Sequence, residues 1–139
     1  MTTAESIVDQ MYQGDTFSQW LGIKVEEAGP GHCRLRMRVR PEMLNGFGIA
    51  HGGIAYSLAD SALAFAANGN GQHALSIETS ISHTAPITEG TELIALASEE
   101  QLSPRIGIYR VEVRGTDGKL VALFKGTVYR KREAWELES

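Results

Sequence analysis

The segment from Gly52 to Asn68, GGIAYSLADSALAFAAN, is apolar around almost its whole circumference. It is rich in Ala and Leu, lacks Pro, and runs into Asn68-Gly69-Asn70-Gly71, residues that tolerate left-handed backbone, so it reads as one long helix with a defined stop. Ile54, Leu58, Ala62 and Phe65 form one face, and Ala55, Ala59, Ala62 and Ala66 form an adjoining face of small residues. A helix of this kind must be buried, so the rest of the chain has to wrap it. With 139 residues, 42% of them hydrophobic and 22% charged, one domain spanning 1–139 suffices. The chain is too short for a paired dinucleotide-binding fold or a full α/β-hydrolase.

Strands supply the wrapping. From Cys33 to Arg40, Cys33, Leu35, Met37 and Val39 alternate with Arg34, Arg36, Arg38 and Arg40, the period-two pattern of a strand with one wet face. A first strand over 21–28 precedes it through a Gly29-Pro30-Gly31 turn. Further strands read over 73–84, 91–102, 105–114 and 120–130, with turn residues at Pro86 and Gly90, Ser103-Pro104, and Thr116-Asp117-Gly118. Short links favour antiparallel neighbours. Residues 1–20 form a helical lead-in carrying Ile7, Met11 and Tyr12, interrupted at Gly14 and Asp15, that covers one end of the sheet. The expected architecture is α+β, an antiparallel sheet of five to six strands wrapped around one long central helix over 52–68.

Net charge is −4, and Pro41 to Pro104 contains no Lys or Arg, which argues against broad nucleic-acid binding. No run approaches the ~18 apolar residues that cross a bilayer, and the first residues lack the basic and apolar blocks of a signal peptide. The expectation is a cytoplasmic protein. Cys33, the single cysteine, leaves no internal disulfide.

Asp60 is the one charged residue between Gly52 and Asn68, and no cation stands three or four positions away. A carboxylate in such a helix is costly unless it is hydrogen-bonded or reactive, so Asp60 is a candidate catalytic acid or base; the alternative is a side chain that faces solvent or caps backbone. At the other end, His51-Gly52-Gly53 opens the helix, where unpaired N–H groups and the positive end of the macrodipole favour an oxyanion. Asp60 lies eight residues beyond Gly52, about 12 Å along the helix at ~1.5 Å per residue, too far for both to hold one carbonyl within one chain. The two meet only if helices of two subunits run antiparallel, which makes a symmetric dimer part of the hypothesis. There is no G-x-S-x-G elbow and no phosphate-binding glycine loop. The histidines at 32, 51, 73 and 83 show no metal-ligand spacing, His73 and His83 being roughly 33 Å apart if they share a strand.

Leu44-Asn45-Gly46, His51-Gly52-Gly53 and Ser57-Leu58-Ala59-Asp60, with the Thr84-Ala85-Pro86 corner and the strand at 121–126, resemble the hotdog-fold acyl-CoA thioesterases, above all the phenylacetate-degradation thioesterases. The likeness extends over roughly 17–130. It implies a hotdog subunit, a homodimer with a continuous sheet and shared active sites, and commonly a tetramer of two dimers. It also implies that the Gly52 N–H polarises the thioester carbonyl, that Asn45 positions thioester or water, and that Asp60 of the partner subunit acts as general base or nucleophile. Ser76 matches a serine that orients the water, and His51 matches a histidine that holds the loop. A related branch carries Glu with a Thr one turn later; Asp60 and Ala64 place this chain with the Asp branch.

The implied activity is hydrolysis of aromatic acyl-CoA thioesters to free acid and coenzyme A, with no cofactor beyond the coenzyme A of the substrate and no metal. Gly53, Arg105, Lys125, Arg130 and Lys131 are the candidate contacts for coenzyme A, whose phosphates call for cations. Arg34, Arg36, Arg38 and Arg40 read better as a solvated strand face. The alternatives are a hotdog hydratase or dehydratase and a non-catalytic acyl-CoA-binding protein.

Overall fold

The alternation that begins at Cys33 is realised on a strand that ends at Arg38, short of the expected Arg40: Cys33, Leu35 and Met37 are buried, as is Val39 just beyond it, while Arg34 and Arg36 lie on the other face, 2.9 and 3.0 Å from the Glu26 carboxylate. In the computed structural model, which describes residues 1–138, the chain runs α1 (Thr3–Gln13), α2 (Thr16–Leu21), β1 (Lys24–Gly29), β2 (His32–Arg38), a 3₁₀ turn (Pro41–Met43) and α3 (Gly52–Asn68). There follow β3 (Gln72–His83), β4 (Glu92–Leu102), β5 (Ile106–Gly115) and β6 (Leu120–Ala134). The six strands form one antiparallel sheet in the order β1-β2-β4-β5-β6-β3, folded around α3. Leu35, Leu93, Val111 and Phe124 from the sheet and Leu58, Leu63 and Phe65 from α3 share one core. Each such side chain contributes about 1.5–3 kcal/mol by leaving water.

Several boundaries differ from the sequence expectation. The lead-in is two helices, because Asp15 caps the second by accepting from the Ser18 N–H at 2.9 Å. The first strand begins at Lys24 instead of Leu21, since Leu21 belongs to α2. Gly29 lies within β1, opposite His32, leaving only Pro30-Gly31 as the turn. The link between β3 and β4 is not a hairpin: β3 pairs with β6 and β4 with β2, so residues 84–91 cross the end of the barrel-like sheet. Thr84 is tied to β6 through Val121 O at 2.9 Å, and Ile87 O accepts the Ala50 N–H at 2.8 Å. That crossing segment thereby closes over the N-terminal end of α3.

Wrapping of α3 is incomplete. Ile54, Ala55, Leu58, Ala59, Ala62, Leu63, Phe65 and Ala66 are buried, but Gly53, Tyr56, Ser57, Asp60, Ser61 and Ala64 form a stripe that the chain only partly covers. Among the described residues no helix is long and apolar enough to cross a membrane.

The helix stop also works differently from the left-handed cap its residues suggest. Gly69 keeps right-handed backbone (φ −60°, ψ −17°), and a Cβ there would lie 2.7 Å from the Gly29 carbonyl oxygen, so glycine is required for close approach. Buried Asn68 organises the end: its Nδ2 donates to Ala64 O at 2.8 Å and Ala74 O at 3.1 Å, and its Oδ1 accepts from Ala74 N at 3.0 Å and Trp135 Nε1 at 2.8 Å. Asn68→Ala strands those partners, and we expect a loss of about 2–4 kcal/mol in urea unfolding, with changed Trp135 fluorescence in the folded state.

Candidate active site

Asn45 and Gly48 shape the loop that delivers the chain to α3. Asn45 Oδ1 accepts from the N–H groups of Phe47 (2.9 Å) and Ile49 (3.4 Å), and its own N–H donates to Ile49 O at 2.8 Å. The carboxamide oxygen is thus committed to the loop, while among the described residues the Nδ2 donors have no protein partner.

His51 is the N-cap of α3. Its backbone N–H donates to Met43 O at 2.9 Å, its Nδ1 accepts the Gly53 N–H at 2.9 Å, and its carbonyl oxygen accepts the Ile54 N–H at 2.9 Å. Of the first three N–H groups of the helix, two are therefore satisfied locally. Among the described residues the Gly52 N–H alone of these three has no acceptor. His51 thus ties the loop to the first turn of the helix, and the N–H of Gly53, a candidate coenzyme A contact, is engaged on His51 within the subunit.

Gly52 opens onto a cleft of about 410 Å³. Ile49, Ala55, Pro86 and Ile87 give it apolar walls, and Asn45, His51 and His83 add polar groups. The structure thus brings Asn45, His51 and Gly52 together in one cleft. His83 joins them unannounced by the sequence reading, in which it counts only as a histidine without metal-ligand spacing. Its position just before the Thr84-Ala85-Pro86 corner is the one signal that it turns toward the helix start.

Asp60 and Ser76 do not line this cleft. Asp60 sits on the open stripe of α3, half-buried, and among the described residues no hydrogen bond or ion pair engages its carboxylate. Burial alone pushes its pKa up from the ordinary carboxylate value. Its neighbour Ser61 is engaged, by contrast, with Ser18 Oγ at 2.8 Å. Tyr56, one turn earlier, bonds through its hydroxyl to Thr79 of β3. Ser76 is exposed on β3, paired with Val128, beside a register slip between Ser76 and Glu78. β3 is an edge of the sheet, so Ser76 lies on an open edge strand, and Asp60 on the partly covered stripe of α3.

The candidate cations are dispersed. Arg105 and Arg130 staple the β4–β5 turn to β6, donating to Arg130 O at 2.6 Å and Ser103 O at 2.7 Å. They lie at the Ala74 end of the β3–β6 ladder, whereas Gly52 is beside His83 at the other end. Lys131 approaches Glu133 at 3.6 Å, and exposed Lys125 stands between Ser80 and Arg110 on neighbouring strands. Within one subunit none of the four lines the cleft.

Residues 47–122 match the family model described as "Thioesterase superfamily". The chain is 41% identical over 129 residues to a "Putative esterase" of Archaeoglobus fulgidus, covering 93% of this chain and 84% of that protein. It is 35% identical to "Acyl-coenzyme A thioesterase PaaI" of Escherichia coli, covering 86% of each. The solved structure of the E. coli PaaI protein from the phenylacetic acid degradation operon superposes with a TM-score of 0.93 at 32% identity, covering 95% of this chain and 96% of that one.

The raised pKa of Asp60 has a thermodynamic sign. A carboxyl whose folded pKa lies above its unfolded value favours the fold most when protonated, and that contribution is lost as pH rises through the folded pKa. Asp60→Asn, neutral and of the same shape, should therefore raise the melting temperature at pH 7, and the difference from wild type should shrink as pH falls toward 4. A melting temperature for Asp60→Asn below wild type at pH 7 would contradict this reading.

Proposed function

Because the chain belongs to the thioesterase superfamily and is an acyl-CoA thioesterase, we propose that it hydrolyses aromatic acyl-CoA thioesters of the phenylacetyl type, at sites shared between two subunits. The observation that carries the reading is the unpaired Gly52 N–H opening onto an apolar cleft. The thioester carbonyl oxygen accepts from that N–H, strengthened by the positive end of the α3 dipole. Water, deprotonated by Asp60 of the partner subunit, adds to the carbonyl carbon; the tetrahedral intermediate then expels coenzyme A as a thiolate and leaves the free acid. A carboxylate with a raised pKa is the stronger base for that step. Direct attack by the carboxylate, through a mixed anhydride, uses the same groups. Similarity to the E. coli PaaI protein from the phenylacetic acid degradation operon supports the aromatic acyl group.

Sharing of the site is supported by what one subunit leaves uncovered. The edge strand β3 has its outer backbone engaged by Asn68 at Ala74, and beyond that point it exposes Leu75 (63%) and Ile77 (61%), next to the open stripe of α3 that holds Asp60. Antiparallel pairing of two such edges covers both stripes and brings Asp60 of the partner subunit toward Gly52. A dimer of dimers is the larger assembly in this reading. Ser76 lies on the same edge, and the coenzyme A phosphates draw on Arg105, Lys125, Arg130 or Lys131 across the interface.

Phenylacetyl-CoA should be cleaved with a kcat/KM at least tenfold above that for hexanoyl-CoA, followed by thiol release; the reverse order would remove the aromatic assignment and leave the thioesterase. Asp60→Asn should lower kcat by orders of magnitude with the dimer intact. Gly52→Pro removes the N–H at a helix position that accepts proline, after a residue already extended at φ −57° and ψ 139°, and should be equally inactive. Mixed one to one, the two inactive variants should recover about a quarter of wild-type activity, since half of the dimers are mixed and each carries one intact site. Persistent inactivity of the mixture, once native mass spectrometry shows that the subunits have exchanged, would remove the shared site. Turnover should also survive exhaustive treatment with a chelator.

A further inference from the structure

The intermediate in thioester hydrolysis places a full negative charge on one oxygen, and such an oxygen is best held by two donors. The start of α3 offers one: Gly53 and Ile54 give their N–H groups to His51, leaving Gly52 alone. The cleft therefore lacks a second backbone donor from the helix start, and a side chain must supply it.

We propose that His83 is a further catalytic residue, donating from Nε2 to the thioester carbonyl oxygen alongside the Gly52 N–H; this rests on the thioesterase reading of the cleft. A Cβ placed on Gly52 would lie 3.3 Å from His83 Nε2 and 3.5 Å from Cε1, so the imidazole stands in contact distance of the space in front of Gly52. Both residues line the same cleft. Among the described residues neither ring nitrogen of His83 has a hydrogen-bond partner, so Nε2 is free to carry the proton and donate it, unlike the Nδ1 of His51, which already accepts from Gly53.

The ring is carried on a fixed backbone. His83 ends β3 opposite Ala122 of β6, and the next residue is tied down twice: the Thr84 N–H donates to Val121 O at 2.9 Å and its Oγ1 to Leu120 O at 2.8 Å. The link that crosses the end of the sheet thus brings an imidazole to the helix start. Asn45 retains its Nδ2 donors for the attacking water or the acyl group. Glycine at 52 then serves two purposes, close approach of the carbonyl to its N–H and room for the His83 ring.

Kinetics of thiol release from phenylacetyl-CoA and hexanoyl-CoA by purified full-length His83→Leu and His83→Gln test the assignment. Loss of one oxyanion donor should lower kcat in His83→Leu by roughly 10²–10³ with KM within about threefold of wild type, and His83→Gln, which keeps an N–H donor, should recover at least tenfold of that loss. Binding of a non-hydrolysable thioether analogue of phenylacetyl-CoA should be unchanged in both variants. Wild-type kcat in His83→Leu, equal loss in both variants, or a loss confined to KM would overturn the role of His83. If Asp60→Asn is inactive while His83→Leu turns over normally, the shared-site reading stands and the histidine falls alone. If the wild-type protein releases thiol from neither substrate, the reading of the cleft falls and His83 with it.

Discussion

Burial of α3 inside a single antiparallel sheet is the constraint on which the other features depend. The helix has almost no polar surface to show to water, so β2, β4, β5 and β6 turn their apolar faces toward it. One sheet of six strands curls around most of the helix but not all of it, and the uncovered part is the stripe with Tyr56, Ser57, Asp60 and Ser61. The polar and acidic positions of the helix interior are thereby collected on the stripe beside the β3 edge that the sheet does not close over. Packing and chemistry share one cause: the apolar residues of α3 fix its rotation, and the rotation fixes where Asp60 points.

At the N-terminal end the decisive matter is how the first N–H groups are used. A helix start with three free donors would bind an anion loosely and in several poses. His51 removes two of them, one through its side chain and one through its backbone carbonyl, and leaves a single donor at Gly52. The crossing segment after β3 then gives the cleft apolar walls at Pro86 and Ile87, while Gly52 itself stays exposed. A residue with a holding role thus sets the selectivity of the donor beside it.

Asp60 illustrates the cost of keeping an acid in an apolar helix. Among the described residues its carboxyl has no cation or hydrogen-bond donor, and partial burial makes ionisation harder. Stability would be better served by a neutral residue at that position. Retaining the acid suits a base that must take a proton from water near neutral pH.

Much of the fold was legible along the chain. Periodicity marked the central helix to the residue, and the alternation around Leu35 marked the strand that packs on it. Boundaries such as Leu21, Gly29 and the end of β6 were missed because local propensity does not see the cap from Asp15 or the contact of Trp135 with Asn68. The short link from β3 to β4 does not join paired neighbours, since loop length constrains which strands are near but not which are paired. Residue spacing on a helix is rigid, at ~1.5 Å per residue, so the sequence by itself determined that Gly52 and Asp60 cannot serve one carbonyl in one chain. Only the tertiary structure decided that Gly53 is already bonded to His51, that Arg105 and Arg130 stand at the far end of the sheet, and that His83 faces Gly52. Those facts depend on contacts between residues more than thirty positions apart or on the direction of a single N–H, and neither is encoded in any local pattern.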